Sequence, residues 1–144
     1  MDADKYLMKQ ISVFSENRPG RLAAIAHALG EEKVNILAFT IAESEGFGVV
    51  RALVDQPEKA HKKLSACGFN VAFTDVIAVK MKDEPGGLYR IAKSLGEAGI
   101  NIEYAYAYSG KQQAVLILRL DNANEAIGVI QKSGGELLES SHAI

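Results

Sequence analysis

The chain has 144 residues and a formal net charge of −2; 48% of its residues are hydrophobic, 24% are charged and 7% are aromatic. These values are typical of a globular protein, and the length suits one medium domain or two small ones. Because there is no basic excess and few aromatic residues, we expect no nucleic-acid partner. The apolar stretch at 114–118 is far too short to span a bilayer, so we expect no membrane partner either.

Hydrophobic periodicity organises the first half of the chain. Residues 9–15 alternate between apolar and polar side chains, which predicts a strand. Pro19 is expected at the first position of the next helix, where a missing N–H costs little, and Gly30 is expected to help end that helix. The elements that follow are predicted as strands at 35–42 and 47–54, a helix at 57–68 and a strand at 71–73.

The same order of elements recurs 66 residues later. Pro19-Gly20 matches Pro85-Gly86, and 15 of the 60 positions in 12–71 are identical to their counterparts in 78–137. A repeat of this length indicates two copies of one structural unit. The second copy is predicted as a strand at 76–81, a helix at 86–97, strands at 101–108 and 113–120 around a turn at 109–110, a helix at 123–132 and a short strand near Leu137.

Each copy therefore reads strand, helix, strand, strand, helix, strand. This order predicts an α+β fold of two fused ferredoxin-like βαββαβ units, with antiparallel sheets and helices on one face. We place the units at 5–74 and 75–141, without a linker, because 70–81 reads as almost unbroken strand. Both faces of the strand at 113–120 are apolar, and helices cover one face of such a sheet, so we expect a homodimer through the sheet faces.

Residues with catalytic or metal-binding potential are few. Cys67 is the one cysteine, and its place before Gly68 predicts a small buried side chain. A lone thiol, without a basic and apolar leader at the N-terminus, indicates a cytoplasmic protein. His27, His61 and His142 lack partners at metal-ligand spacing, so we expect no metal and no other cofactor. Because no catalytic constellation is visible, we expect that the protein is not an enzyme.

The loop after the first strand of each unit is the candidate binding site. Asn17 and Asp83 precede their Pro-Gly pairs by two residues, and Asn35 and Asn101 open the second strands. Glycine leaves the backbone accessible, helix N-termini favour anions, and amides offer both a donor and an acceptor, as a free amino acid requires. The alternative is that these side chains cap helices or form turns.

At these residues the chain resembles the ACT domain family. The similarity lies in Asn17-Arg18-Pro19-Gly20-Arg21-Leu22 with Val34-Asn35-Ile36, and again in Glu84-Pro85-Gly86-Gly87-Leu88 with Ile100-Asn101-Ile102. The resemblance implies a ferredoxin-like fold and amino-acid binding at interfaces between paired domains. The ligand-binding residues that it implies are Ser15, Asn17, Gly20 and Asn35 in the first unit and Asp83, Gly86 and Asn101 in the second.

The resemblance implies an amino-acid sensor that regulates amino-acid metabolism, with a free amino acid as ligand. The alternative is a regulatory subunit that acts on a partner enzyme through protein contact alone, without a ligand of its own. Asp83 replaces the amide of Asn17, and a carboxylate would repel the carboxylate of a ligand, so the two sites are expected to differ or only one is used.

Overall fold

The computed structural model describes residues 3–109 and 113–140 and divides the chain into two compact units. Lys9–Thr74 forms the N-terminal unit, and the chain from Asp75 onward forms the C-terminal unit together with the residues before Lys9. Gly110 of the predicted turn and His142 lie outside the described residues. Of the helices that the structure describes, none is long and apolar enough to cross a membrane.

The N-terminal unit follows the predicted order. Strand β1 pairs antiparallel with β3, with Val13 opposite Val50, and β3 pairs antiparallel with the edge strand β2. The fourth strand, β4, begins beside β1, where Ser12 Oγ lies 3.1 Å from Thr74 Oγ1. The bounds are β1 Met8–Glu16, α1 Arg21–Glu31, β2 Ile36–Ser44, β3 Phe47–Val54, α2 Pro57–Ala66 and β4 Asn70–Lys82.

The C-terminal unit repeats this pattern and uses the rest of β4 as its first strand. Strand β6 pairs antiparallel with both β4 and β5, and the short β7 pairs with β4. A 3-10 turn at Ala3–Tyr6 packs against the core of this unit, and Lys5 Nζ lies 3.5 Å from Glu139 Oε1. The bounds are α3 Gly87–Glu97, β5 Ile102–Ser109, β6 Gln113–Leu120, α4 Ala123–Lys132 and β7 Glu136–Leu137.

These pairings confirm the predicted fold class. In each unit two helices pack on one face of an antiparallel sheet and enclose a core of aliphatic side chains. Fully burying one such side chain stabilises the folded state by about 1.5–3 kcal/mol. The N-terminal core contains Ile11, Val13, Ile25, Leu29, Val50 and Leu64; the C-terminal core contains Ile77, Val79, Leu95, Leu116, Leu118 and Ile130.

The end of α1 differs from the expectation. Gly30 lies inside the helix, and the chain turns at Lys33, which has a φ of 57°. The N–H of Lys33 donates to the Gly30 carbonyl and the N–H of Val34 donates to the Leu29 carbonyl, the two bonds of a Schellman motif. Helix α2 ends in the same motif, there with Gly68 at a φ of 90°. Lys33, three residues after Gly30, is therefore the residue at which the chain reverses direction, and Gly30 is not.

Cys67 is exposed, so the prediction of a buried side chain is wrong. Helix α2 has already ended at this residue, whose backbone N–H bonds back to the carbonyls of Lys63 and Leu64. The next apolar contact with the core comes from Phe69, beyond the turn at Gly68. The His61 ring stacks on the ring of Phe73, with the centroids 4.6 Å apart.

The same substitution at two glycines should have opposite effects. Gly68→Ala should lower the free energy of unfolding by about 1–2 kcal/mol, because an L side chain is strained at this positive φ. Gly30→Ala should raise it by about 0.5–1 kcal/mol, because Gly30 is helical and a methyl group there meets open space. Urea unfolding of both variants checks this; an equal loss at both positions would contradict the assigned helix ends.

Candidate functional site

The loop after β1 contains a type II turn. The N–H of Arg21 donates to the Arg18 carbonyl at 3.2 Å, which places Pro19 and Gly20 at the centre of the turn. Gly20 has a φ of 90° and a ψ of −13°, the conformation that favours glycine at the third position of such a turn. Pro19 therefore precedes α1 by two residues, and the prediction that it begins the helix is wrong. A Cβ at Gly20 would meet nothing within 4 Å, so the surrounding space does not exclude a side chain there. Glycine is favoured at this position by the positive φ alone.

The turn leaves polar side chains at the end of β1. Ser15 lies on the helix-covered face and its Oγ donates to the Glu16 carbonyl at 3.2 Å. The backbone N–H of Asn17 donates to the Gly46 carbonyl at 2.9 Å, and this bond anchors the loop to the turn before β3. The Asn17 amide makes no hydrogen bond to any residue that the structure describes, nor does it cap α1.

Arg21 is a part of this site that the sequence analysis did not assign. It is the first residue of α1, and its Nε is buried without a hydrogen-bond partner in the described part of the chain. A buried donor without a partner is unfavourable, which indicates a place where an acceptor can bind. The sequence did contain a signal for Arg21: a cationic residue directly follows the first Pro-Gly pair. The second copy has Gly87 at the equivalent position.

Two adjoining cavities lie between α1 and the sheet of the N-terminal unit, and both are lined by Leu22, Ile25 and Val50. The polar cavity has a volume of about 20 Å³ and reaches the loop; its other lining residues are Ser15, Glu16, Asn17, Arg21, Ile41 and Gly48. The apolar cavity has a volume of about 110 Å³; its other lining residues are Ile11, Val13, Ala26, Leu29, Ile36, Phe39 and Ala52.

Asn35 is not brought to this loop within the unit. It follows the C-terminal end of α1, whereas Asn17 and Gly20 precede the N-terminal end. Eleven helical residues correspond to about 16 Å, so the two ends of α1 are far apart. At Asn35 the backbone exchanges hydrogen bonds with Asp55: its N–H donates to Asp55 Oδ1 at 2.9 Å and its carbonyl accepts from the Asp55 N–H at 3.1 Å.

The second loop has the same turn and a different surface. The N–H of Gly87 donates to the Glu84 carbonyl, and Gly86 has a φ of 89°. A Cβ at Gly87 would collide with the Lys82 carbonyl oxygen, so a side chain like that of Arg21 has no room there. Asp83 is exposed beside this turn. The backbone N–H of Asn101 donates a hydrogen bond to Asp121 Oδ1 at 3.2 Å, as the N–H of Asn35 does to Asp55.

A cleft of about 200 Å³ in the C-terminal unit is lined by Lys80, Lys82, Arg90 and the turn at Gly134. Two of these cations already have partners: Lys80 Nζ lies 3.0 Å from Glu136 Oε2 and Arg90 Nη1 lies 3.5 Å from Glu84 Oε1. The positive charge of the cleft is therefore largely neutralised by neighbouring carboxylates. Among the described residues no group of His, Cys, Asp and Glu side chains is placed to hold a metal ion.

Several side chains outside the two loops have shifted pKa values. The hydrogen bond from Lys9 lowers the pKa of the Glu58 carboxyl, and the hydrogen bond to Glu31 raises the pKa of the Lys63 ammonium, both on the surface around α2. Burial raises the pKa of the Tyr108 hydroxyl on β5. These ion pairs and the half-buried tyrosine belong to the scaffold rather than to the loops.

Fold and loops together define a protein made of two ferredoxin-like units, each with a Pro-Gly turn leading into its first helix. The sequence profile of the ACT domain pair family matches residues 6–142, and the chain belongs to that family. A search of curated proteins by sequence found no match.

Solved structures have the same fold. Protein BT0572 from Bacteroides thetaiotaomicron is 34% identical, with a TM-score of 0.90 over 94% of each chain. The regulatory subunit of aspartate kinase from Thermus thermophilus, in its ligand-free form, is 17% identical with a TM-score of 0.67 over 90% of this chain and 95% of that one. The corresponding subunit from Thermus flavus is 15% identical, with a TM-score of 0.62 over 88% and 92%.

The hydrogen bonds separate structural residues from residues available to a ligand. Asp55→Ala should lower the free energy of unfolding by about 1–2 kcal/mol, because the Asn35 N–H loses a charged acceptor. Asn17→Ala and Asn35→Ala should each change it by no more than about 0.5 kcal/mol, because neither side chain bonds to a described residue. Urea unfolding measures all three, with Asp121→Ala as the equivalent of Asp55→Ala. A large loss in Asn35→Ala would assign its amide a structural role.

Proposed function

We propose that this protein is a regulatory sensor that binds a free amino acid, without catalytic activity of its own. The observation that carries the proposal is the N-terminal loop, where the Asn17 amide and the buried Nε of Arg21 have no partner among the described residues and line one cavity. Membership of the ACT domain pair family and the fold shared with aspartate kinase regulatory subunits support a regulatory role.

The polar groups of the loop match the two charges of an amino acid. A carboxylate accepts hydrogen bonds from Arg21 and from the Asn17 NH₂ group, and an ammonium donates to the Ser15 hydroxyl or the Asn17 carbonyl oxygen. Gly20 allows the turn that holds these groups in place. We place Asn35 in the site as a contribution from a partner copy, because it lies at the far end of α1 from the loop of its own unit.

A second site is proposed at Asp83, Gly86 and Asn101. Asp83 supplies an acceptor for an ammonium and repels a carboxylate, and Gly87 provides no cation in place of Arg21. This site is accordingly expected to bind an amino acid more weakly than the N-terminal site.

The proposed homodimer pairs sheet faces, and exposed aromatic side chains support it. Phe14 and Phe47 lie on the sheet face of the N-terminal unit opposite its helices, and 44% and 67% of their surfaces are exposed. Tyr104, Tyr106 and Tyr108 occupy the same face of β5 and are half-buried. A ligand that binds one packing of the dimer more tightly than another shifts the population toward it, and a partner enzyme can read that shift.

The alternative is regulation by protein contact alone, and the same exposed phenylalanines favour it, because such a surface can bind an enzyme without a small ligand. The two functions differ in their response to amino acids.

A thermal-melt screen against the free amino acids tests the sensor. At a ligand concentration about 100 times Kd, binding stabilises the folded state by about 2.7 kcal/mol. For a chain of this size the midpoint should rise by about 5–10 °C. Asn17→Ala should abolish the rise, because the loop loses a donor and an acceptor, whereas Asn124→Ala, which removes an exposed amide on α4, should not. A flat response of the wild-type protein to every amino acid would refute the sensor and favour the contact alternative.

A further inference from the structure

We infer that the N-terminal site selects an amino acid with an apolar side chain of leucine size, inserted under α1, and that the C-terminal unit lacks this selectivity. The inference rests on the proposed function and specifies its ligand. It follows from the apolar cavity that adjoins the polar loop and from the way the two copies have diverged around it.

The first step is that the two cavities adjoin and share three lining residues. The polar cavity contains the groups for a carboxylate and an ammonium, and the apolar cavity begins behind the shared Leu22, Ile25 and Val50. An amino acid anchored at Arg21 and Asn17 therefore directs its side chain toward α1 and the sheet. The Arg21 Nε, which is buried and unpaired among the described residues, fixes the end at which the carboxylate binds.

The second step is the chemistry of the cavity. Its lining is entirely aliphatic or aromatic, and it exposes no polar surface. Its volume of about 110 Å³ is comparable to an apolar cavity of about 150 Å³ that admits benzene. A charged or hydroxylated side chain would lose its hydration there without gaining a partner, whereas an aliphatic side chain gains contacts.

The third step is the open side of the cavity. Phe39 and Ile41 on the edge strand β2 lie on the same sheet face as the core residues Ala52 and Val50, yet remain exposed, at 49% and 38%. They extend past α1 and form an apolar wall beside Leu22, which is itself 37% exposed. This wall gives a side chain a way in from the surface.

The fourth step is the comparison of the two copies. Phe39 and Ile41 correspond to Ala105 and Ala107, which hold the same register on β5, opposite Leu118 and Leu116. Arg21 corresponds to Gly87, where the Lys82 carbonyl leaves no room for a side chain. The C-terminal unit has thus lost both the wall and the cation, while its turn and its core are retained.

Isothermal titration calorimetry on the full chain tests the inference with leucine, alanine, serine and lysine as ligands. The wild-type protein should bind leucine at least tenfold more tightly than each of the other three. Ala26 is exposed and lines the apolar cavity, so Ala26→Leu should narrow the open side of that cavity and reduce the preference for leucine over alanine to near unity. Ala24→Leu is the control, because Ala24 is on the same helix, is exposed and lines neither cavity.

A second pair of variants covers the case in which Ala26→Leu does not fold. Phe39→Ala installs the residue of the C-terminal copy and should weaken leucine binding several-fold, whereas Phe47→Ala, on the opposite face, should not. Serine or lysine binding as tightly as leucine, or unchanged leucine binding in Ala26→Leu or in Phe39→Ala, would overturn the inference and leave the sensor in place. Absence of binding by all four amino acids would overturn the inference, and a flat thermal-melt screen against every amino acid would overturn the sensor as well.

Discussion

The type II turn at the start of the first helix is the constraint on which each unit depends. A positive φ at Gly20 and at Gly86 turns the chain after the first strand of each unit and sets the direction of the helix that follows. Because that helix supplies Ile25 and Leu29, or Leu95 in the other unit, the turn also determines which side chains reach the core. The same turn presents the loop with the candidate ligand-binding residues, so folding and the proposed binding depend on one local geometry.

Duplication followed by divergence explains why two units with one fold differ in chemistry. The residues that the copies share are those of the turns and the core, such as Pro19 with Pro85 and Leu29 with Leu95. Asp55 and Asp121 are shared as well, and both accept a backbone N–H at the entry to the second strand. Among the residues that differ are three that line the cavities beside the candidate loop of the N-terminal unit: Asn17, Arg21 and Phe39 are replaced by Asp83, Gly87 and Ala105. The scaffold therefore kept its stability while one copy became free to change its surface.

Sequence patterns predicted the elements well, because strands and helices have different hydrophobic periods and the repeat allowed each half to be checked against the other. The errors occurred at helix ends. Pro19 and Gly30 have ordinary propensities for helix termini, but backbone hydrogen bonds that form only in the folded turn decide the boundary. Cys67 was misjudged for the same reason, because its exposure depends on where α2 stops.

The candidate site could be predicted only in part from the sequence. Ser15, Asn17 and Gly20 follow from the loop, whereas the buried Nε of Arg21 and the cavity behind it depend on packing that no local pattern encodes.

One feature of the chain order affects how the protein is assembled. The C-terminal unit is discontinuous: Ala3, Tyr6 and Leu7 pack on a core that begins only at Ile77. These residues are synthesised before the core on which they pack, so their apolar side chains stay uncovered until that core has been made, whereas the N-terminal unit can close as soon as β4 begins. The backbone passes between the units twice, at Lys9 and at Asp75. A cut between Thr74 and Asp75 would consequently leave the two units joined only by the non-covalent packing of the residues before Lys9 on the C-terminal core.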